Sequence, residues 1–334
     1  MEHSNITYKK IAEALNVSQS TVSKALSGSH EISLPLAEKI QQKAKEMGYF
    51  SMKRERNREY AKHFRPDIAI LIPEIISISY STLATRLTDE IKAHGGKASL
   101  YITGFDHENI SRLLEEIYDE VHFDGVISLS SFKYSGEVKL PTVVFEASEK
   151  EADCRYIRTD LESGMCEAVE HLKELGHRRV GFAGEELTRG KEQLFRKAAQ
   201  NAGLQINERY IFKISARFED IGKAVGERIA EMKDRPTAII AAYDEIAIGL
   251  ISTLSERGIN VPKDISVIGI NDIPVAKYYS PPLTTISSRT NDECDFIVKD
   301  IFDRIYKNGC KKIDSGMVFR SCLVIRKSTE KARE

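Results

Sequence analysis

The stretch Ser18-Gln19-Ser20-Thr21-Val22-Ser23-Lys24 sets short polar side chains and one cation at the start of a helical pattern. Such side chains at a helix N-terminus suit a major groove, where short donors and acceptors meet base edges. Gln19 and Ser20 stand at the tip, and Lys24 follows on the same face one turn after Ser20. Thr21 and Ser23 suit phosphate oxygens, and Ser18 is best spent capping the helix. A solvated polar helix face would carry the same residue types, so the surroundings must decide between the two. Other candidate chemistry fails on spacing. Gly184–Glu192 (GEELTRGKE) approximates a phosphate-binding loop, but that loop needs four residues between its glycines and Ser or Thr after the lysine. Here five intervene and Glu192 follows. His171 and His177 lie six apart with no acids at metal-ligand spacing, and no clustered nucleophile and base occurs. Neither enzyme chemistry, a cofactor nor a metal is expected.

Three short helices must position the polar tip. Thr7 can cap a first helix with an apolar face of Ile11, Ala14 and Leu15, flanked by Ala12 and Val17. Asn16-Val17 breaks the pattern, and the second helix buries Val22, Ala25 and Leu26. Ser33 opens a third helix with Leu36, Ile40, Ala44 and Met47, which stops at Gly48. Residues 51–65 then lack apolar periodicity and hold six Lys/Arg against two Glu, as a linker would. Residues 1–66 carry twelve Lys/Arg and seven Asp/Glu, although the whole chain of 334 residues is nearly neutral with 49 against 50. A basic head on an acidic body points to a nucleic-acid contact confined to the head.

From Asp67 the texture changes. Strand-like runs at 68–72, 98–102, 125–129, 142–145, 179–183, 238–242 and 265–270 alternate with helical stretches such as 82–93, 162–175, 193–201, 221–233 and 245–257. That alternation predicts parallel sheets wound with helices, and the strands are too many for one small sheet. Five scattered cysteines without a C-x-x-C pair read as reduced thiols. The polar N-terminus lacks the apolar stretch of a leader and no long apolar run follows, so a cytoplasmic protein without membrane contact is expected.

ITYKKIAEALNVSQSTVSKALSG, then IS and EKIQQKAKEMGY, strongly resembles the DNA-binding domain of the lactose/galactose-repressor (LacI/GalR) family. HLKELGHRRVGFAG, DEIAIGLISTLSERGINVPKDISVIGIND, SPPLTTIS and LVIRKST resemble that family's core signatures in the same order, covering nearly the whole chain. The resemblance implies a homodimeric transcription factor, usually a repressor of carbohydrate-utilisation genes. Its heads would bind a palindromic operator in double-stranded DNA. The fold would be an all-α helix-turn-helix head (1–50), a basic hinge linker (51–66) and an α/β core (67–334). That core would resemble periplasmic sugar-binding proteins, with two doubly wound parallel-sheet lobes of 67–158 plus 289–318 and 159–288 plus 319–334. A small sugar-like effector would sit between the lobes. The rival reading, a sugar-binding module for transport or chemosensing, is disfavoured by the fused helix-turn-helix.

Carried over residue by residue, the resemblance implies DNA contacts from Thr7, Tyr8, Ser18, Gln19, Ser20, Thr21, Ser23 and Lys24. Lys24 replaces the usual Arg and lacks its bidentate fork toward guanine. In the hinge, Ser51-Met52 stands for the usual Pro-Asn, and Glu55-Arg56-Asn57-Arg58 for Ala-Arg-x-Leu. Arg56 and Arg58 are still expected on DNA, with Arg58 in place of the apolar minor-groove wedge. That change implies weaker kinking and a more salt-dependent complex. In the core the implied effector-binding residues are Ser77, Tyr80, Asp160, Arg189, Lys191, Phe218, Tyr243 and Asn271. Asn271 replaces a usual Asp and Lys191 a usual Arg, so an anionic sugar derivative is expected to be admissible.

Overall fold

The structure is a computed structural model that describes residues 7–26, 34–47, 65–119, 123–132, 134, 138–145, 154–288, 290–306 and 316–333. The chain divides at Arg65 into two compact units. In the first, α1 (Tyr8–Leu15), α2 (Gln19–Leu26) and α3 (Leu34–Glu46) close on Ile11, Ala12, Val22, Ala25, Ile40 and Ala44. The α1 face is turned slightly from the expected one, since Ala12 is buried and Ala14 exposed. Asn16 takes a left-handed conformation at φ 53°, and the chain turns there into α2. Ser33, Gly48 and residues 51–64, including Arg56 and Arg58 of the expected hinge, lie outside the described residues.

In the second unit the run Ile68–Ile72 has no polar position, and such a strand must be covered on both faces. β1 (Asp67–Ile72) pairs in parallel with β2 (Lys97–Ile102) on one side and β3 (Gly125–Ser128) on the other. β4 (Thr142–Phe145), β5 (Arg155–Asp160) and β11 (Met317–Arg320) complete an all-parallel sheet of order β11-β5-β4-β3-β1-β2. α4 (Ile78–Ala93) and α10 (Thr290–Tyr306) pack Leu87, Ile91, Ile297 and Ile301 against Ile68 and Ile70. α5 (His107–Asp119) packs Ile110 and Leu114 against Ala69 and Leu71, the opposite face of the same strand.

The second sheet has the order β12-β10-β9-β8-β6-β7. It comprises β6 (Val180–Gly184), β7 (Ile211–Lys213), β8 (Ala238–Ala241), β9 (Ser266–Ile270), β10 (Thr284–Ser287) and β12 (Cys322–Val324). α6 (Leu161–Glu174), α7 (Arg189–Asn201), α8 (Glu219–Glu231) and α9 (Asp244–Glu256) contribute to its core around Phe182, Phe195, Val225 and Leu250. β12 is the one departure from the parallel expectation among the described strands, running antiparallel to β10. The reason is geometric. The carboxyl ends of the two sheets face each other, so a strand leaving β11 through Ser321 must enter the second sheet against its direction.

The chain passes between sheets after β5, after β10 and after β11. In each sheet the strand order reverses beside the first strand, between β1 and β3 and between β6 and β8. Loops at such switch points diverge and leave a crevice outside the carboxyl ends. Here the two crevices meet. α8 and α9 flank this place and approach too closely for side chains. A Cβ at Gly222 would strike the Ile246 carbonyl, and one at Gly249 the Glu219 carbonyl.

Candidate nucleic-acid interface and ligand cleft

Ser18 spends its hydroxyl on α2: the Thr21 amide donates to Ser18 Oγ at 3.0 Å, and the two hydroxyls lie 2.8 Å apart. The cap leaves Gln19 and Ser20 exposed at the helix tip, with Lys24 exposed beyond them and Thr21 and Ser23 half-buried. Thr7 occupies the N-cap of α1, but its side chain makes no capping hydrogen bond, which corrects the expected cap. Its main-chain carbonyl instead accepts from Ile11 N at 3.2 Å. Tyr8 opens the helix and packs on the head's core.

The cleft is a cavity of about 380 Å³ at the facing strand ends. Ser77, Tyr80, Lys191, Phe218, Tyr243 and Asn271, all expected at the effector, line it. Asp160 and Arg189 do not. Asp160 ends β5 and caps α6, its carboxylate accepting from the Ser163 amide and hydroxyl. Arg189 opens α7 in an exposed position. Tyr80, Phe105, Phe145, Phe218 and Tyr243 make much of the lining apolar and aromatic. Three lining residues other than glycine hold positive φ: Phe105 at 61°, Phe218 at 51° and Asn271 at 111°. Such conformations cost on the order of 1–3 kcal/mol each and concentrate where a site must be preorganised.

Four charged residues absent from the sequence expectation stand at the cleft, Glu74 and Arg217 in its lining and Glu185 and Glu245 behind it. Arg217, just before α8, donates through Nη2 to Glu74 Oε1 at 2.7 Å and places Nε 3.1 Å from Glu185 Oε1. Its guanidinium stacks 4.5 Å from the Phe218 ring centre. Burial pushes the Glu185 carboxyl up, Arg217 pulls it down, and Glu74 pushes it up again. Lys191 donates to the Ala242 carbonyl at 2.9 Å and sits 4.1 Å from the Tyr243 ring centre. The Tyr243 phenol is raised well above its usual range, first by burial and then by Glu185. Glu245, only 2% exposed, accepts from the Ile78 amide at 3.3 Å, and burial raises its pKa as well. A usable signal existed: Glu74 and Glu185 follow the carboxyl ends of β1 and β6, where an α/β sheet binds its ligands. Chemically, flat apolar walls with amide, hydroxyl and charged groups suit a small polar ring held by stacking and hydrogen bonds. Among the described residues, no three His, Cys, Asp or Glu side chains gather as metal ligands would, and no helix is long and apolar enough to cross a membrane.

A helix-turn-helix head joined to a two-lobed, cleft-bearing core defines a DNA-binding regulator with a ligand domain. Residues 1–43 match a helix-turn-helix family and 169–329 a periplasmic binding protein-like domain. The chain is 26% identical over 291 residues to the HTH-type transcriptional repressor CytR of Escherichia coli (strain K12), covering 84% of each. Its fold matches that of the lac repressor dimer bound to operator and an anti-inducer, with TM-score 0.67 and 20% identity over 97% of this chain and 99% of that one. It also matches the transcriptional regulator CelR in its cellobiose complex, with TM-score 0.65 and 22% identity over 97% and 100%. The chain thus combines the two domains found in LacI/GalR-type regulators, which it resembles over most of its length, and it is a sequence-specific DNA-binding transcriptional regulator.

Proposed function

We propose that this regulator is a repressor of carbohydrate-utilisation genes, acting in the cytoplasm as a homodimer on a palindromic operator. A sugar-like effector in the cleft sets its DNA affinity. The observation that carries the reading is the cavity at the facing sheet ends, on the same chain as a capped helix that exposes Gln19 and Ser20. In this reading Gln19, Ser20 and Lys24 read bases, Thr7, Tyr8, Thr21 and Ser23 hold phosphates, and Arg56 and Arg58 join them from the hinge. Ser77, Tyr80, Lys191, Phe218, Tyr243 and Asn271 hold the effector, the aromatic rings covering its apolar faces. Asp160 takes part only as the cap of α6, and Arg189 stands outside the cleft lining. The cellobiose complex of the structural neighbour CelR supports a sugar. The anionic effector admitted by the sequence loses ground, because the two lining cations are already engaged, Arg217 by two carboxylates and Lys191 by a carbonyl. Regulation is a population shift: the effector moves DNA affinity only as far as it prefers one core conformation.

Selection of bound duplexes from fragmented source-organism DNA, at low and physiological salt, tests this. A recovered palindrome is expected, with its neighbouring genes naming the effector's pathway, and Gln19→Ala should lose it by about 1–3 kcal/mol per half-site. Recovery of sequence-indifferent DNA that washes off with salt is the contrary result.

A further inference from the structure

Five residues of the first lobe, Glu74 to Ile78, run from the end of β1 to the first turn of α4. Both ends of this segment are held by the second lobe. At one end Glu74, with its side chain 14% exposed, takes the Arg217 guanidinium. At the other, Ile78 donates its amide to Glu245 and packs its side chain on the second lobe's core. Ser77 is the N-cap of α4 but makes no side-chain cap, so an orphan amide of that helix is satisfied by a carboxylate from the opposite lobe. Glu245 also lies in the first turn of α9, so one buried carboxylate stands at two helix N-termini. Between the anchored ends, Ile75 and Ile76 stand 54% and 70% exposed.

We propose that Arg217 and Glu245 are positioning residues that clasp segment 74–78 and together set the balance between closed and open lobes. Opening the cleft breaks both bonds at once, because the segment is too short for one end to part from the second lobe alone. The strained Phe218 backbone directs the Arg217 end, and the α8–α9 glycine contact fixes the distance between the two anchors. The clasp's consequence for regulation rests on the cleft reading above, since an effector that reorients Arg217 or Tyr243 would release or tighten the segment.

Amide hydrogen exchange of the full chain, followed by mass spectrometry without DNA or effector, tests the clasp. In Arg217→Ala, Glu74→Gln and Glu245→Gln, peptides covering 74–80 and 214–220 are each expected to exchange about tenfold faster than in the wild type. β8 and β9 peptides should keep their protection, which establishes that the variants fold. The decisive feature is reciprocity: Glu245→Gln, whose one direct effect on 214–220 is to relieve a like-charge repulsion with Glu219, must nonetheless loosen that peptide, and Arg217→Lys must restore much of the protection at 74–80. Effects confined to the mutated end, or unchanged exchange at 74–80, overturn the proposal. Neither result bears on operator selection, so the clasp and the repressor reading fail separately.

Discussion

Asp244 is fully buried at the start of α9, where it accepts from the Ile273 amide at 2.8 Å and the Thr285 hydroxyl. Burial outweighs those bonds and raises its carboxyl to about 7. The unfolded chain therefore releases this proton near pH 4 and the folded chain only near neutrality. Between those values the folded state binds more protons, so stability present at low pH is lost as pH rises, by on the order of 1 kcal/mol per pH unit. Urea midpoints at pH 4.5, 5.5 and 6.5 should show the wild type losing ground to Asp244→Asn with each step. A constant difference between the two would mean that Asp244 stays ionised throughout. His171 and His177 act in the opposite sense. His177 bridges Thr237 and the Glu330 carbonyl at 3.0 Å each, His171 meets Thr329, and burial lowers both imidazoles. They favour folding above about pH 6.5, and their contribution fades as pH falls below it. Exchange of the tail peptide 327–333, corrected for intrinsic rate, should therefore quicken below pH 6.

The close approach of α8 and α9 gives the element scale its sharpest test. Gly249→Ala forces a methyl into the Glu219 carbonyl, and overpacking of that kind costs about 1–3 kcal/mol, or about 2–10 °C in Tm. Gly190→Ala in α7 meets open space, and should raise Tm slightly by restricting the unfolded chain. Equal effects of the two substitutions in a thermal melt would refute the contact. The sequence makes the strongly apolar strands β1, β6, β8 and β9 legible, because a strand covered on both faces has no polar break. It hides β5, written Arg155-Tyr156-Ile157-Arg158-Thr159-Asp160, whose polar end serves the chain's crossing rather than the core. β11 and β12 are hidden for a similar reason, as short edge or near-edge pieces set by the crossing at Ser321. The cleft was half legible. Lys191, Phe218, Tyr243 and Asn271 sit in recognisable strings, whereas Glu74, Arg217 and Glu245 matter through partners in the opposite lobe. Asp160 shows a further limit, because an N-cap, its role in α6, and a ligand carboxylate look alike in one dimension.

At the scale of the molecule, the division at Arg65 lets two properties be separated. The head holds a small core of short apolar side chains, and the other unit holds two full sheets with extensive cores. A fragment of residues 66–334 should melt close to the full chain's main transition, lose operator retention and keep effector binding. The same fragment tests assembly. β2 is the edge of its sheet, and Leu100 and Ile102 on one face of it are 46% and 57% exposed. An edge strand carrying exposed leucine and isoleucine invites association, and a second copy would cover it. If that face joins the proposed homodimer, Leu100→Asp places a charge in an apolar contact on both partners at once, since a two-fold interface repeats every substitution. Light scattering on the full chain should then show a dimer for the wild type and a monomer for Leu100→Asp at micromolar concentration. The monomer should lose affinity for a palindrome far more than for a single half-site, because one head alone forgoes the second set of contacts. A variant that stays dimeric with unchanged operator affinity would place the interface elsewhere on the core.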